Sequence, residues 1–229
     1  MSAKTQIDEI GSGILSRASA TVYRGIVLAV FLIAVSLPTV AIWTLLGRDG
    51  SNGPIFVLAM LPIAPGLSAA LYALRSWSHS PDLQPTKALR RGYAKNVRDV
   101  LKWWAIVLVI ASILVINVVF SAIVPAGNLI RPVCIVVLAA LIVWSGHLLV
   151  VTSFFSFRTR DAMRIAAALS FSQWKASLGF LSLGVIATAV VGVTSEAVLA
   201  LLAWLFAVML WQVARPVAVE VEKVFIGHE

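Results

Sequence analysis

The sequence predicts an all-α membrane protein with six transmembrane helices, two cytoplasmic amphipathic lateral helices and both termini in the cytoplasm. Of its 229 residues, 60% are apolar and 12% are charged, whereas soluble domains carry about 25% charged residues. Six apolar stretches alternate with polar joints, and only Arg48 and Arg131 of the 18 Lys and Arg residues fall in joints assigned outside. Because Lys and Arg near short loops stay cytoplasmic during insertion, the remaining cations predict that both termini lie inside.

The six spans form one predicted transmembrane domain at residues 23–215, between a cytoplasmic segment at 1–22 and a cytoplasmic tail at 216–229. Crossing the bilayer core takes about 20 apolar residues. The predicted spans lie at about 25–46, 54–73, 104–124, 133–155, 178–193 and 197–214.

Two interruptions are predicted, one within the second span and one between the fifth and sixth spans. Pro62, Pro65 and Gly66 should bend or break the second span, and neighbouring helices must then cover the backbone groups that the prolines free. The nearly uncharged run at 178–214 would make a single helix of about 55 Å, so we expect it to break at Glu196. This residue either caps the sixth helix together with Ser195, which is favoured, or binds a cation.

Two lateral helices are predicted on the cytoplasmic side. The first, at 86–102, places Leu89 and other apolar residues on one side and cations on the other. We expect its apolar side to lie on the inner leaflet or on the bundle, with the cations near lipid phosphates. The second, at 161–177, has Phe171 on one apolar side and Ile165 on the other, which predicts partial burial by protein.

Eight basic residues in and beside these helices form a predicted cytoplasmic collar that contacts lipid or a partner subunit. They are Lys87, Arg90, Arg91, Lys95, Arg98, Arg158, Arg160 and Arg164. Each basic residue near an anionic membrane surface contributes roughly 1 kcal/mol. The net charge of +8 therefore indicates anionic headgroups and not nucleic acid, because the cations border apolar spans and not a soluble domain.

An alternative interpretation is a small-solute transporter or channel, with a path near the proline-broken second span. The path residues would be Pro62, Pro65, Asn117 and His147. His147 is the only histidine in a predicted span, and an ionisable residue there is a candidate proton carrier. A neutral histidine bonded to a neighbouring helix is nevertheless favoured, as is a helix-contact role for Asn117.

No residue pattern in the sequence indicates catalysis, a cofactor or a metal. The chain contains no GxSxG, HExxH or Walker A motif, and no Asp or Glu pair on a predicted span. Cys134 is the only cysteine, which excludes an intramolecular disulfide and a cysteine-based metal cluster. We therefore expect a protein that is not an enzyme.

Several short segments together resemble one known family. They are Ser36, Leu37 and Pro38 in the first span; Pro65, Ala69, Ala70, Leu71, Tyr72 and Trp77 in the second; the basic and aromatic segment 90–98; and 154–157 followed by Ala166, Ala167, Leu169 and Trp174. Over about residues 25–214 the chain resembles the YesL-like family of bacterial membrane proteins, domain-of-unknown-function family 624.

This resemblance implies a multi-pass protein of the bacterial plasma membrane and no established activity. It also implies an accessory or scaffold role in carbohydrate uptake, with ABC importer subunits as expected partners. ABC permeases have a cytoplasmic loop with an EAA start and an internal glycine, and residues 162–175 lack both. We therefore do not expect this chain to dock an ATPase directly, and the sequence predicts no oligomeric state.

Overall fold

The computed structural model describes residues 14–47, 49–79 and 84–223. These residues form eight α-helices, joined in places by short 3-10 turns at Gly50–Asn52 and Ser121–Ile123, and no strand lies among them. The helices are α1 (Ile14–Leu45), α2 (Gly53–Leu58), α3 (Ile63–His79), α4 (Pro85–Val119), α5 (Gly127–Phe154), α6 (Thr159–Ser172), α7 (Trp174–Val193) and α8 (Glu196–Val221).

Six helical segments in the described ranges are long and apolar enough to cross a membrane, which confirms the predicted number of spans. They are Ser19–Leu45, Gly50–Ser78, Pro85–Val119, Gly127–Phe154, Trp174–Val193 and Glu196–Val221. Many of their large apolar side chains, such as Ile106, Val136 and Leu201, are exposed on the outside of the bundle. Exposed apolar helix faces are what a protein surrounded by lipid requires, so the chain is a multi-pass membrane protein.

The predicted break in the second span is confirmed: α2 ends at Leu58, and α3 begins at Ile63. Across the break the backbone bonds shift register, because Met60 N bonds to Val57 O at 3.0 Å and Ile63 N bonds to Met60 O at 3.0 Å. The carbonyl oxygens of Phe56 and Ala59 are thereby released from the usual bond four residues along.

Side chains of two neighbouring helices bond to the carbonyl groups at this break. On α1, Trp43 Nε1 donates to Phe56 O at 2.8 Å and Thr39 Oγ1 donates to Ala59 O at 2.7 Å. On α4, Trp104 Nε1 donates to Met60 O at 3.0 Å. Because each unsatisfied backbone group in a bilayer costs several kcal/mol, this cover permits an interrupted helix at membrane depth.

The first lateral helix is not a separate element, and the prediction of two helices at 86–102 and 104–124 is wrong. The structure has the single 35-residue helix α4, about 52 Å long. No proline lies between Pro85 and its end, and one buried stripe crosses the predicted joint: Ala88, Leu89, Gly92, Asn96, Val100, Trp103 and Val107. The helix ends five residues early because a 3-10 turn follows Phe120.

The second lateral helix exists as α6 but is shorter than predicted. Gln173 leaves the helical conformation with φ −105° and ψ 56°, so residues 174–177 form the first turn of α7. The face of α6 with Ile165 and Leu169 is buried by the protein, whereas Phe171 on the opposite face is 89% exposed.

The predicted break between the last two spans is confirmed. Ser195 has an extended backbone, and its side chain accepts a hydrogen bond from Val198 N at 3.4 Å, which is an N-cap. Glu196 is the first residue of α8, where the positive end of the helix dipole stabilises a carboxylate. At its other end α8 runs through Pro216 to Val221, beyond the predicted end at 214, because Val217 and Val221 are buried in the core.

Candidate functional site

All eight predicted collar residues are exposed in the structure. Among the described residues none of them forms an ion pair, since the pairs found there join Arg75 to Glu222 and Lys102 to Asp99. Lys95 Nζ lies 5.8 Å from the centre of the Tyr72 ring, a cation–π distance. Within the described ranges the collar is therefore a set of cations without acidic partners, carried by the first half of α4 and by α6 with the joint before it.

A buried polar cluster brings these two regions to one end of the bundle, which we call the basic end. Asn96 Nδ2 donates to Ser68 Oγ at 3.1 Å and to Ser153 O at 3.2 Å, and the Ser153 and Ser68 hydroxyl oxygens are hydrogen-bonded to each other at 2.8 Å. The cluster joins α3, α4 and α5 just before Arg158. Its members are 28 to 85 positions apart in the sequence, so no local sequence pattern predicts the cluster.

Arg75 ties the ends of three helices together at the same end. Its guanidinium pairs with Glu222 after α8 and lies 4.9 Å from the Phe154 ring and 5.5 Å from the Phe155 ring at the end of α5. The Arg75 side chain, near the end of α3, therefore contacts residues at the ends of α5 and α8.

A surface groove of about 410 Å³ lies at the basic end between α1 and α4. Its floor is apolar, with Val27, Phe31 and Leu89, and its rim carries Thr86 and Arg90. The Phe31 and Tyr93 rings meet edge to face at 6.3 Å and form one wall. A groove with an apolar floor and a cationic rim matches a lipid, whose chain and phosphate need these two environments side by side.

A second cavity, which we call the central cavity, has a volume of about 310 Å³ and is surrounded by helices of all six spans. Its wall is mostly apolar and includes Val40, Ala64, Leu149, Phe180, Leu183, Ala200, Ala203 and Leu210. Trp43, Glu196 and Leu199 lie near the end opposite the basic end. The space is not fully enclosed, and its apolar wall suits an apolar molecule.

Ser36 places an unused hydroxyl group on the wall of the central cavity. The residue is 8% exposed, yet its hydroxyl forms no hydrogen bond within the part of the chain that the structure describes. The other hydroxyls on this wall are committed, since Thr39 bonds to Ala59 O and Ser145 bonds to Ile142 O.

His147 is fully buried and connects α5 to α7. Its Nε2 lies 2.9 Å from Ser177 Oγ, and that hydroxyl donates to Ser170 O at 2.8 Å. The serine oxygen therefore accepts from Nε2–H. The ring packs edge to face on Phe180, with 4.9 Å between centres, and this geometry favours the interpretation of a helix contact.

The four residues of the alternative transport path do not line the central cavity. Pro65 is fully buried, and Asn117 is exposed with its Nδ2 bonded to Ile113 O of its own helix at 2.7 Å. These four residues line neither the central cavity nor the groove at the basic end, and the transport path stays a prediction. In the described ranges no group of three or more His, Cys, Asp or Glu side chains is placed to hold a metal ion.

The fold and these two cavities define a multi-pass α-helical membrane protein with a cationic surface at one end. Comparison of the chain with family models, with curated proteins and with solved structures found no match.

Proposed function

We propose that this protein binds anionic lipid headgroups at its basic end, in a bacterial plasma membrane, and that it is not an enzyme. The observation that carries the proposal is the exposure, beside apolar spans, of eight cations that form no ion pair with any other described residue. At roughly 1 kcal/mol for each basic residue near an anionic surface, such a set holds anionic lipid at the protein surface.

The groove between α1 and α4 is the proposed position of one bound lipid. An acyl chain of the lipid would lie along Val27 and Leu89, and the phosphate of its headgroup would contact Arg90 at the rim. Arginine suits this role because its planar guanidinium donates two parallel hydrogen bonds to a phosphate.

The proposed orientation puts the basic end and both chain termini in the cytoplasm. It rests on the distribution of Lys and Arg, of which only Arg48 and Arg131 are assigned outside. Anionic lipids of the cytoplasmic leaflet would then face the collar.

The resemblance to the YesL-like family supports a further part of the proposal. We infer that the protein is an accessory or scaffold component beside carbohydrate ABC importers, and that the collar cations outside the groove contact a partner subunit.

One experiment tests both parts: purification from native membranes in mild detergent, with mass spectrometry of the copurifying lipids and proteins. The variant Arg90→Gln should retain about fivefold less anionic lipid, since it removes about 1 kcal/mol. Arg131→Gln removes the same charge at the opposite end and serves as the control. Joint neutralisation of Lys87, Arg91, Lys95 and Arg98 should lower retention of lipid or partner at least tenfold.

Equal lipid retention by wild type and all these variants would refute the lipid proposal. Recovery of ABC permease or solute-binding subunits would support the accessory role, whereas a lone, lipid-loaded protein would contradict it.

A further inference from the structure

We propose that α6 docks on the membrane at the basic end, where Phe171 and Trp174 insert into lipid between the headgroups and the hydrocarbon core. The inference deepens the proposed function, on which it rests for a lipid surface at the basic end. It goes beyond that function because aromatic side chains make this contact with lipid of any charge, whereas the collar attracts anionic headgroups.

The length of the following span sets the depth of the end of α6. This helix ends at Ser172, and α7 begins two residues later at Trp174. Because α7 has 20 residues, Trp174 lies about 28 Å along the helix from Val193 at the opposite end of the bundle. A hydrocarbon core about 30 Å thick therefore ends close to Trp174.

Two hydrogen bonds keep both halves of α6 near this level. Trp144 Nε1 on α5 donates to Met163 O at 3.3 Å, and Ser177 Oγ on α7 donates to Ser170 O at 2.8 Å. Trp144 lies about 26 Å from the first residue of α5. Therefore α6 lies beside the level at which α5 and α7 leave the hydrocarbon core, and not in the water far beyond it.

The outward face of α6 is apolar towards its end. Phe171 is 89% exposed and Trp174, just after the helix, is 60% exposed. Ala167 and Ala168 are exposed on the preceding turn. Large apolar side chains gain the most free energy when they leave water, so insertion of the two rings holds this part of the chain at the membrane.

The adjoining surface of α7 identifies lipid as the partner. Trp174, Leu178 and Val185 are exposed at helical spacing along one face of α7. This face belongs to a segment that is long and apolar enough to cross the membrane, so the aromatic surface continues a surface that lipid already covers. Lys175 Nζ lies 5.8 Å from the centre of the Trp174 ring. A tryptophan at the headgroup level beside a lysine that extends towards the water is typical of an interfacial anchor.

The cations of α6 fit the same depth. Arg160 and Arg164 are exposed on the outward face, two to three turns before Phe171. Their long side chains bring the guanidinium groups to the level of the headgroups while the helix lies just below.

The test measures the depth of a spin label in vesicles of phosphatidylcholine. Cys134 is the only cysteine, so Cys134→Ala supplies a background in which one new cysteine carries the label. The label at Ala167→Cys leaves both aromatic side chains in place. Its collisions with oxygen and with a water-soluble nickel chelate should place it about 5–10 Å inside the boundary of headgroups and acyl chains. Labels at Ile106→Cys and Lys87→Cys, two exposed positions of α4, give the lipid and water reference values.

Two outcomes of this measurement would overturn the proposal. Collision rates at Ala167 equal to those at Lys87 would mean that α6 lies in water. Low collision rates with both reagents would mean that protein, either a partner or a second copy of this chain, covers the outward face.

Paired substitutions assign the depth to the two rings. Phe171→Ser with Trp174→Ser should move the Ala167 label to the water reference value, whereas Phe171→Leu with Trp174→Leu keeps an apolar surface and should keep the depth. Phe120→Ser changes an exposed aromatic side chain at the opposite end of the bundle and serves as the control. An unchanged depth with both serines present would overturn the proposal. If that variant folds poorly, the depth measured with both rings in place still decides.

Arg90→Gln should leave the depth of the Ala167 label unchanged, since the vesicles contain no anionic lipid. Failure of the proposed headgroup site would appear as equal lipid retention on purification, whereas failure of this inference would appear as a label in water or under protein. The two failures are therefore distinguishable.

Discussion

The buried cluster of Asn96, Ser68 and Ser153 yields the sharpest stability prediction. Asn96→Ala removes two hydrogen bonds, at 3.1 Å to Ser68 Oγ and at 3.2 Å to Ser153 O. Interhelical hydrogen bonds in membrane proteins contribute about 0.6 kcal/mol on average and about 1.7 kcal/mol at most. The variant should therefore lower the free energy of unfolding by about 1–3 kcal/mol.

The assay unfolds the purified chain in mixed micelles with increasing fractions of a denaturing detergent, and tryptophan fluorescence monitors the unfolding. Asn117→Ala is the matched control, because Asn117 lies on the same helix, is exposed and bonds only to Ile113 O. Its effect should stay within about 0.5 kcal/mol. A double-mutant cycle of Asn96→Ala with Ser68→Ala should show coupling of about 0.5 kcal/mol or more, since Ser68 Oγ accepts directly from Asn96 Nδ2. Equal shifts for Asn96→Ala and Asn117→Ala would refute the reasoning.

Two further predictions concern close packing and the break in the second span. A Cβ at Gly66 would lie 2.6 Å from Val35 Cγ1, so Gly66→Ala should lower the free energy of unfolding by about 1–3 kcal/mol. The control Gly25→Ala, which has open space around its Cβ, should be neutral or stabilising. If adding Val35→Ala does not restore the stability of the Gly66→Ala variant, the packing argument is contradicted. Trp43→Phe should lower the melting temperature in detergent more than Trp104→Phe. Without the Trp43 indole, Phe56 O loses the side-chain donor that covers it, whereas without the Trp104 indole Met60 O keeps the bond from Ile63 N. A larger effect of Trp104→Phe would count against this account of the break.

The features predicted correctly from the sequence are those with local signals. Apolar length marks each span, the prolines mark the break before Ile63, and Ser195 has the side chain of an N-cap. The exposure of the eight cations follows from the cost of burying a charge. None of these features depends on which helices are neighbours.

The missed features depend on packing or on a change of environment. The basic half and the apolar half of α4 differ in composition, and this difference predicted two helices where the backbone continues through Trp103. The Asn96 cluster and the central cavity arise only when distant helices meet. On α6 both sides are apolar, and only packing decides that Leu169 is buried while Phe171 is exposed.

The covered break in the second span has a consequence for how the chain is made. A membrane protein enters the bilayer from its N-terminus, so Trp43 and Thr39 are already present when the carbonyls of Phe56 and Ala59 arrive. The donor to Met60 O is Trp104, which is synthesised more than 40 residues later. The first helical hairpin therefore has both released carbonyls covered before the third span arrives, and Trp104 later adds a second donor to Met60 O, which already accepts from Ile63 N.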